Sequence, residues 1–267
     1  MSIPGGKMLN VALRSQKGFT LIEMSIVLVI IGLIIGGILK GQEVIESSRS
    51  KNVLSEVERI RAATNTFFDR YKALPGDFSL AAGAAGVGRI TTDTTNVSNG
   101  NGDGVVGPVA AANTEEGIID VDAGTSGNEN VAFFAQMAAA KLIGGVTPGL
   151  ASTTFGEGGG SPAAAFPGTG YTLAYGNYAD DASTALQAHW LRLHKGTPTA
   201  TAAGLMPKQI QAIDVRIDDG IPASGAVRSA QQGANAGECG ALTSGTAVDY
   251  QPTVESVSCI ALFALVQ

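Results

Sequence analysis

Lys17-Gly18-Phe19-Thr20-Leu21-Ile22-Glu23 opens directly into an uncharged apolar run that ends at Leu39. From Phe19 to Leu39 there are 21 residues. As a helix at about 1.5 Å per residue they reach about 31 Å, enough to cross a hydrocarbon core of roughly 30 Å. Glu23 sits inside that span. A charge there costs roughly 2.5–3.5 kcal/mol at mid-bilayer and less toward the interface, which makes Glu23 a functional candidate by default. The competing reading is a plain anchor that tolerates one carboxylate near its end.

The flanking charges give the segment a direction. Lys7, Arg14 and Lys17 precede the apolar run and no acidic residue does. The leader is therefore expected to stay cytoplasmic while the remainder is translocated. A cleaved secretory signal peptide would have a shorter apolar region closing on an Ala-x-Ala-like site. This run instead ends Ile34-Ile35-Gly36-Gly37-Ile38-Leu39-Lys40. No lipobox cysteine is present, which excludes lipoprotein anchoring.

The helix is expected to continue past the membrane surface. Val53, Val57, Ile60, Thr64, Phe67, Tyr71 and Leu74 recur at spacings of four and three, the stripe of an amphipathic helix. Glu56 with Arg59 and Glu58 with Arg61 are placed to pair on the wetter faces. Pro75-Gly76 ends the pattern, because proline lacks a donor and restricts the residue before it. Gly32, Gly36, Gly37 and Gly41 interrupt the helix near its middle. Their Gly-x-x-x-Gly spacings suit close helix contact, and they equally suit a segment that loosens as helices pack.

The residues around Gly18, Phe19 and Glu23 resemble the class III signal of type IV pilins and of the pseudopilins of type II secretion. The resemblance is specific over roughly residues 14–39. It implies that a prepilin peptidase/N-methyltransferase cuts between Gly18 and Phe19 and methylates the new amino group of Phe19. It also puts Glu23 at the fifth position of the mature chain, where that family carries a glutamate. The leader is longer than the shortest leaders of the family, and Met8 is an alternative start that would leave Met8–Gly18. On this reading the chain divides into a leader at 1–18, a transmembrane half-helix at 19–39, an amphipathic half at 40–74 and a loop-rich soluble domain at 75–267.

Composition bounds the rest. The net charge is −6, and removing the leader's three positive charges leaves −9. That balance argues against nucleic acid as a partner, because binding it relies on basic patches. Gly, Ala, Ser, Thr and Asn dominate 79–130 and 145–170, which read as loops. Ser126-x-x-Glu129 is a capping box for a helix with Val131, Phe134, Ala135, Ala138 and Leu142 on one face, stopped by Gly144-Gly145. A second helix starts at Pro207 and carries Ile210, Ile213 and Ile217 to Gly220. Tyr171–Tyr175, Ala188–Leu193 and Ser258–Val266 read as strands, the last apolar enough for the middle of a sheet. Leu74-Pro75-Gly76-Asp77, the Asn-Gly run after it and Ile217-Asp218-Asp219-Gly220 resemble features of large proteobacterial pilin-like proteins.

Cys239 and Cys259 lie on the translocated side, where a disulfide persists; the alternative is two free thiols. Asn99-Gly100-Asn101-Gly102-Asp103-Gly104 alternates oxygen ligands like a calcium loop, which makes Asn101 and Asp103 candidate metal ligands. The acid that a full EF-hand needs at its first position and the glutamate at its twelfth are replaced by Asn99 and Ala110. Asn-Gly and Asp-Gly are also plain turn dipeptides, and that is the preferred reading. Glu115, Glu116, Asp120 and Asp122 are the acids available to complete a site. His189 and His194 flank Trp190 in a strand and its following turn, and no catalytic constellation assembles around them.

The expected fold is α+β, a long N-terminal helix on an antiparallel sheet, and no catalytic activity is expected. The resemblance implies a prepilin-like subunit in the inner membrane with its N-terminus cytoplasmic. After processing it would join identical or related subunits through an inner-membrane assembly platform, in an extracellular pilus or a periplasmic pseudopilus. Glu23 would pair with the free amino group of Phe19 on a neighbour. The alternative is a minor subunit whose soluble domain is an adhesin or ligand-binding module; a membrane-anchored periplasmic enzyme is a third.

Overall fold

The computed structural model describes residues 18–78, 100, 102–106, 129–147, 154–178, 186–197, 200–231, 238–240 and 249–266. Two compact units divide the chain, one ending at Ile45 and one starting at Glu46. Helix α1, Leu21–Tyr71, runs through both. Glu23 stands in its first turn and Arg70 in its last, each at the end where the helix dipole favours its charge.

Within the second unit α1 buries Ser50, Val53, Val57, Ile60, Ala63, Thr64, Phe67 and Tyr71. This is the stripe read from the sequence, with Leu74 left outside the helix. The helix stops three residues earlier than Pro75-Gly76 suggests. Lys72 takes a left-handed conformation at φ 56°, and its N–H donates to Phe68 O at 2.7 Å. That closes the last turn as a left-handed cap does. One expected ion pair forms, Arg61 to Glu58 at 2.6 Å. The other does not: the Glu56 carboxylate accepts a hydrogen bond from the Tyr171 phenol at 2.8 Å. Arg61 also reaches the sheet, donating from Nη2 to Ala264 O at 3.0 Å. The polar residues beside the stripe thus fasten the helix to the strands as well as solvating it.

The sheet comprises β1 (Thr169–Tyr178), β2 (Leu186–Thr197), β3 (Ala200–Ala202), β4 (Val227–Gln231) and β5 (Cys259–Val266). Its order is β1-β2-β5-β4, with β3 paired to β2, and every pairing is antiparallel. The apolar run of β5 therefore lies between two strands, as its composition requires. Leu173, Leu191, Phe263 and Val227 are aligned across four strands. They belong to the same buried cluster as the α1 stripe. On the opposite face Ala188, Trp190, Ala230, Ile260, Leu262 and Ala264 form a second buried cluster, with the Arg228 guanidinium 5.5 Å from the Trp190 ring centroid.

Helix α2 spans Glu129–Ala139 and α3 spans Pro207–Ile217. The one-sided face proposed for α2 is too narrow, since Phe133 and Met137 are as buried as Phe134 and Ala135. Its end also comes before Gly144. Lys141 turns left-handed at φ 60°, Lys141 N–H bonds Ala138 O and Leu142 N–H bonds Met137 O. This is a Schellman closure on a non-glycine residue, with Leu142 packed on the core. Ser126 lies outside the described residues. In α3 the expected Pro207, Ile210 and Ile213 are buried. Gln209 supports its start by accepting from Met206 N–H at 2.9 Å.

Cys239 and Cys259 form a disulfide, with Cα atoms 5.5 Å apart and a sequence separation of 20. It fixes the start of β5, where Leu205 and Cys259 also exchange backbone hydrogen bonds. Closing a loop of this length is worth about 3 kcal/mol by chain entropy. Cys239→Ser should therefore lower the free energy of unfolding by about 3 kcal/mol, measured by denaturant titration. An unchanged midpoint would mean that the surrounding strand pairing fixes this end of β5 without the covalent link.

Candidate functional site

Gly18, Phe19 and Thr20 precede the first helical residue and have no helical backbone. Thr20 is the residue that starts α1. Its N–H and hydroxyl both donate to Glu23 Oε2, at 2.8 and 2.7 Å, and its oxygen accepts from Glu23 N–H at 3.3 Å. Threonine and glutamate three residues apart, bonded reciprocally, make a capping box. The Thr-x-x-Glu spacing just before an apolar run is the sequence signal of this box, one that the sequence analysis above does not use. Glu23 is consequently not a bare carboxylate in its own chain. Two local donors hold it at the helix entrance, near the end of the long apolar segment.

The Gly18–Phe19 bond lies in non-helical chain just upstream of that cap. A Cβ added at Gly18 would meet nothing within 4 Å. Glycine is therefore not demanded there by the packing of this chain, which shifts the requirement to whatever handles the bond. The same holds at Gly32, Gly36, Gly37 and Gly41, where an added Cβ also meets open space and the helix is unbroken. Phe19 is 80% exposed and Leu21 92%, with Ile22, Leu28, Leu33 and Leu39 also largely exposed. Among the described residues α1 is the one helix long and apolar enough to cross a membrane.

The other candidates resolve differently. Asn101 lies outside the described residues, as do Glu115, Glu116, Asp120 and Asp122. Asp103 is described, and its Oδ1 accepts from Val105 N–H at 2.8 Å. The loop that carries it is organised around an anion. Asp77 of the Leu-Pro-Gly-Asp turn takes the N–H groups of Gly102 and Asp103 on Oδ1 at 2.7 and 3.0 Å. Its Oδ2 takes that of Gly104 at 2.9 Å. Successive backbone donors converging on a carboxylate form an anion nest, in line with the turn reading of the glycines. One oxygen each from Asp77, Asp103 and Glu129 lies within 4.8 Å of the others. Gln136 of α2 clamps the turn, accepting from Gly76 N–H at 2.6 Å and donating to Phe78 O at 3.1 Å. Gly76 is required there: at φ +92° a Cβ would stand 2.5 Å from Glu129 O.

His189 and His194 both lie in β2, which extends through the expected turn. His189 Nε2 accepts from Val106 N–H at 3.2 Å, and its ring packs on Tyr175 at 4.7 Å. It edges a pocket of about 460 Å³ with Phe68, Lys72, Asp77, Tyr175 and Gln187. His194 is wholly buried. Arg192 Nε donates to Thr172 Oγ1 at 3.2 Å, Thr172 Oγ1 lies 2.9 Å from His194 Nε2 and His194 Nδ1 lies 2.8 Å from Lys195 O. The consistent direction puts the proton on Nδ1 and keeps the ring neutral. Burial, with the Arg192 charge behind it, pushes its pKa down to about 4. Burial pushes Tyr171 upward, reinforced by Glu56, and raises Asp214 to about 7. These residues hold structure, and each histidine nitrogen named above is engaged.

Residues 13–39 match the family described as the prokaryotic N-terminal methylation motif. This motif is the signature of the prepilin-type signals of type IV pilins and pseudopilins. No curated protein and no solved structure matches the chain. The long apolar helix with a five-stranded antiparallel sheet is the α+β, pilin-like architecture expected from the sequence.

Two outcomes follow from this geometry. Thr20→Ala removes the cap, at a cost of about 1 kcal/mol. In micelles it should raise amide hydrogen exchange from Leu21 to Met24 several-fold while leaving residues beyond Lys51 unchanged. His194 binds its proton less tightly folded than unfolded, so its contribution to stability is complete above pH 6.5 and is lost as pH falls toward 4. The loss should be on the order of 3 kcal/mol, and His194→Asn should flatten that part of a thermal-midpoint profile.

Proposed function

We propose that this prepilin-like chain is a structural subunit, cut after Gly18, N-methylated at Phe19 and polymerised through the apolar half of α1. The observation that carries this reading is the N-terminal segment itself. A methylation motif covers residues 13–39, and the helix it opens exposes apolar side chains with a single capped carboxylate at its entrance. Such a surface suits hydrocarbon before assembly and other helices after it. The motif implies processing by a prepilin peptidase and assembly with other pilin subunits. The anchor would sit in the inner membrane with Lys17 on the cytoplasmic side, and assembly would use a membrane platform.

Glu23 would hold the Phe19 amino group of a neighbouring subunit. Thr20 occupies Oε2, and the carboxylate's second oxygen would receive the amine. Leader cleavage would create that cation four residues from the carboxylate, about 6 Å along a helix, so a small stagger between subunits brings the two together. Gly18→Val should leave the helix folded and inserted, since the space is open, while uncut precursor accumulates. Glu23→Ala should be cut normally but fall in sheared filaments by about tenfold or more, because stranding a buried charge costs well over ~1.4 kcal/mol. Glu23→Asp should lose less. Wild-type filament yield from Glu23→Ala, in cells without the native copy, would return the segment to a plain anchor.

The pocket edged by Lys72, Tyr175 and His189 supports a second reading, a minor subunit that binds a small ligand. That version predicts that the chain is scarce in sheared filaments relative to another subunit, which mass spectrometry of the same preparations measures.

A further inference from the structure

The last turns of α1 and the adjoining ends of β1 and β2 border a pocket of about 460 Å³, within the size range of small-molecule sites. One wall is a helix face. Asn65, Phe68 and Lys72 follow one another at spacings of three and four, which stacks them along one side. The other wall comes from the sheet. Tyr175 pairs with His189, and alternation puts both, with Gln187, on the face that carries Leu173 and Leu191. The core face of the sheet thus runs on past the apolar cluster, and there its residues turn polar or amphipathic. Apolar side chains at those places would have extended the core; these line an opening.

Two residues set the opening apart from an ordinary surface hollow. Phe68 is 46% exposed, the one exposed aromatic among the described residues of the second unit. Lys72 follows it in a left-handed conformation at φ 56°. Closing the helix requires that conformation, yet glycine adopts it without the strain that a side chain brings. Strain retained at the lip of a pocket points to a use for the side chain. Lys72 makes no ion pair among the described residues. Asp77, the acid among the described lining residues, is engaged by the N–H groups of Gly102, Asp103 and Gly104. Lys141 takes the same conformation at the end of α2, at φ 60°, and does not line this pocket.

We propose that this pocket binds a uronic acid, a sugar ring that carries a carboxylate. Lys72 is a cation that only donates, and it suits the carboxylate. The amides of Asn65 and Gln187 each donate and accept, as hydroxyls on neighbouring ring carbons do. The Phe68 ring offers an apolar surface to the C–H face of the sugar. An aromatic acid would leave the amides unused, and a neutral sugar would leave the ammonium unused. The net charge of −6 opposes wholesale binding of anions, but screening over about 8 Å at physiological salt lets one local cation act on one carboxylate. The proposal rests on the pocket of the second reading above and not on subunit abundance. A scarce subunit that binds no uronate fails only here, and an abundant one that binds it fails only there.

The test uses the full-length chain in a sugar-free detergent at pH 7, titrated with galacturonate and glucuronate by saturation-transfer NMR. Galactose and acetate serve as the neutral ring and the bare charge. We expect at least one uronate to bind with a dissociation constant on the order of 1 mM, as suits so small a polar ligand. Galactose and acetate should each bind at least about threefold more weakly. Digalacturonate binding more tightly than galacturonate would support the end of an acidic polysaccharide as the source; weaker binding would support the free sugar acid. Lys72→Gly should raise the melting temperature by about 2–4 °C by relieving strain, while uronate binding falls to the level of galactose. Lys72→Met removes only the charge and should lose the same binding without that rise. Lys141→Gly should give a similar rise with binding unchanged. The proposal is overturned by no transfer to either uronate at about 20 mM, by wild-type binding in Lys72→Met, or by galactose or acetate binding as well as the uronates.

Discussion

The contact on which the rest of the second unit depends is the burial of one stripe of α1 against the sheet. Val53, Val57, Ile60, Phe67 and Tyr71 enter the same cluster as Leu173, Leu191 and Phe263. Each is worth roughly 1.5–3 kcal/mol when fully buried. No strand can form the core alone, because a sheet face this apolar needs a covering layer. The helix supplies it continuously from Ser50 to Tyr71, so its pitch dictates which strand residues meet it. Arg61 on Ala264 O and Glu56 under the Tyr171 hydroxyl then fix where along the strands the stripe lies.

Polar groups do the locking that apolar contact leaves undone. Hydrophobic burial is not directional, so the loops after α1 need specific donors and acceptors to hold one arrangement. Asp77 gathers three backbone N–H groups, and Gln136 bridges the same turn from α2. On the far face of the sheet, Arg192, Thr172 and His194 form one hydrogen-bonded line. Neutral histidine is what that line requires, since a proton on Nε2 would remove the acceptor for Thr172. Asp214 shows the opposite case, a buried acid with an oxygen still unpartnered.

The N-terminal half of α1 follows a different rule. Its side chains are apolar on every face and exposed, so its stability comes from a medium outside the chain: lipid, or other helices. The capping box concentrates the polar requirements of that half at its entrance. A helix start leaves backbone N–H groups that hydrocarbon cannot satisfy, and Thr20 and Glu23 answer two of them at once. The carboxylate held there is then placed next to the amino group that cleavage would create.

The sequence by itself determined the membrane-length run, the stripe from Val53 to Tyr71, the candidate status of Gly18, Phe19 and Glu23, and the centrality of the last strand. These rest on local period and composition, which survive any tertiary arrangement. It also made Cys239 and Cys259 candidates for the disulfide that the structure contains. Tertiary structure alone decided the rest. Lys72 and Lys141 end helices where no glycine marks the place, because packing of the following residue outweighs left-handed strain. Glu56 leaves Arg59 for Tyr171, a residue 115 positions away. Strands Ala200–Ala202 and Val227–Gln231 carry little pattern of their own and exist because β2 and β5 offer them edges. The meeting of Asp214 with Tyr250 and Asp218 with Val227 likewise depends on how the chain turns after α3, and distance along the chain gives no measure of that.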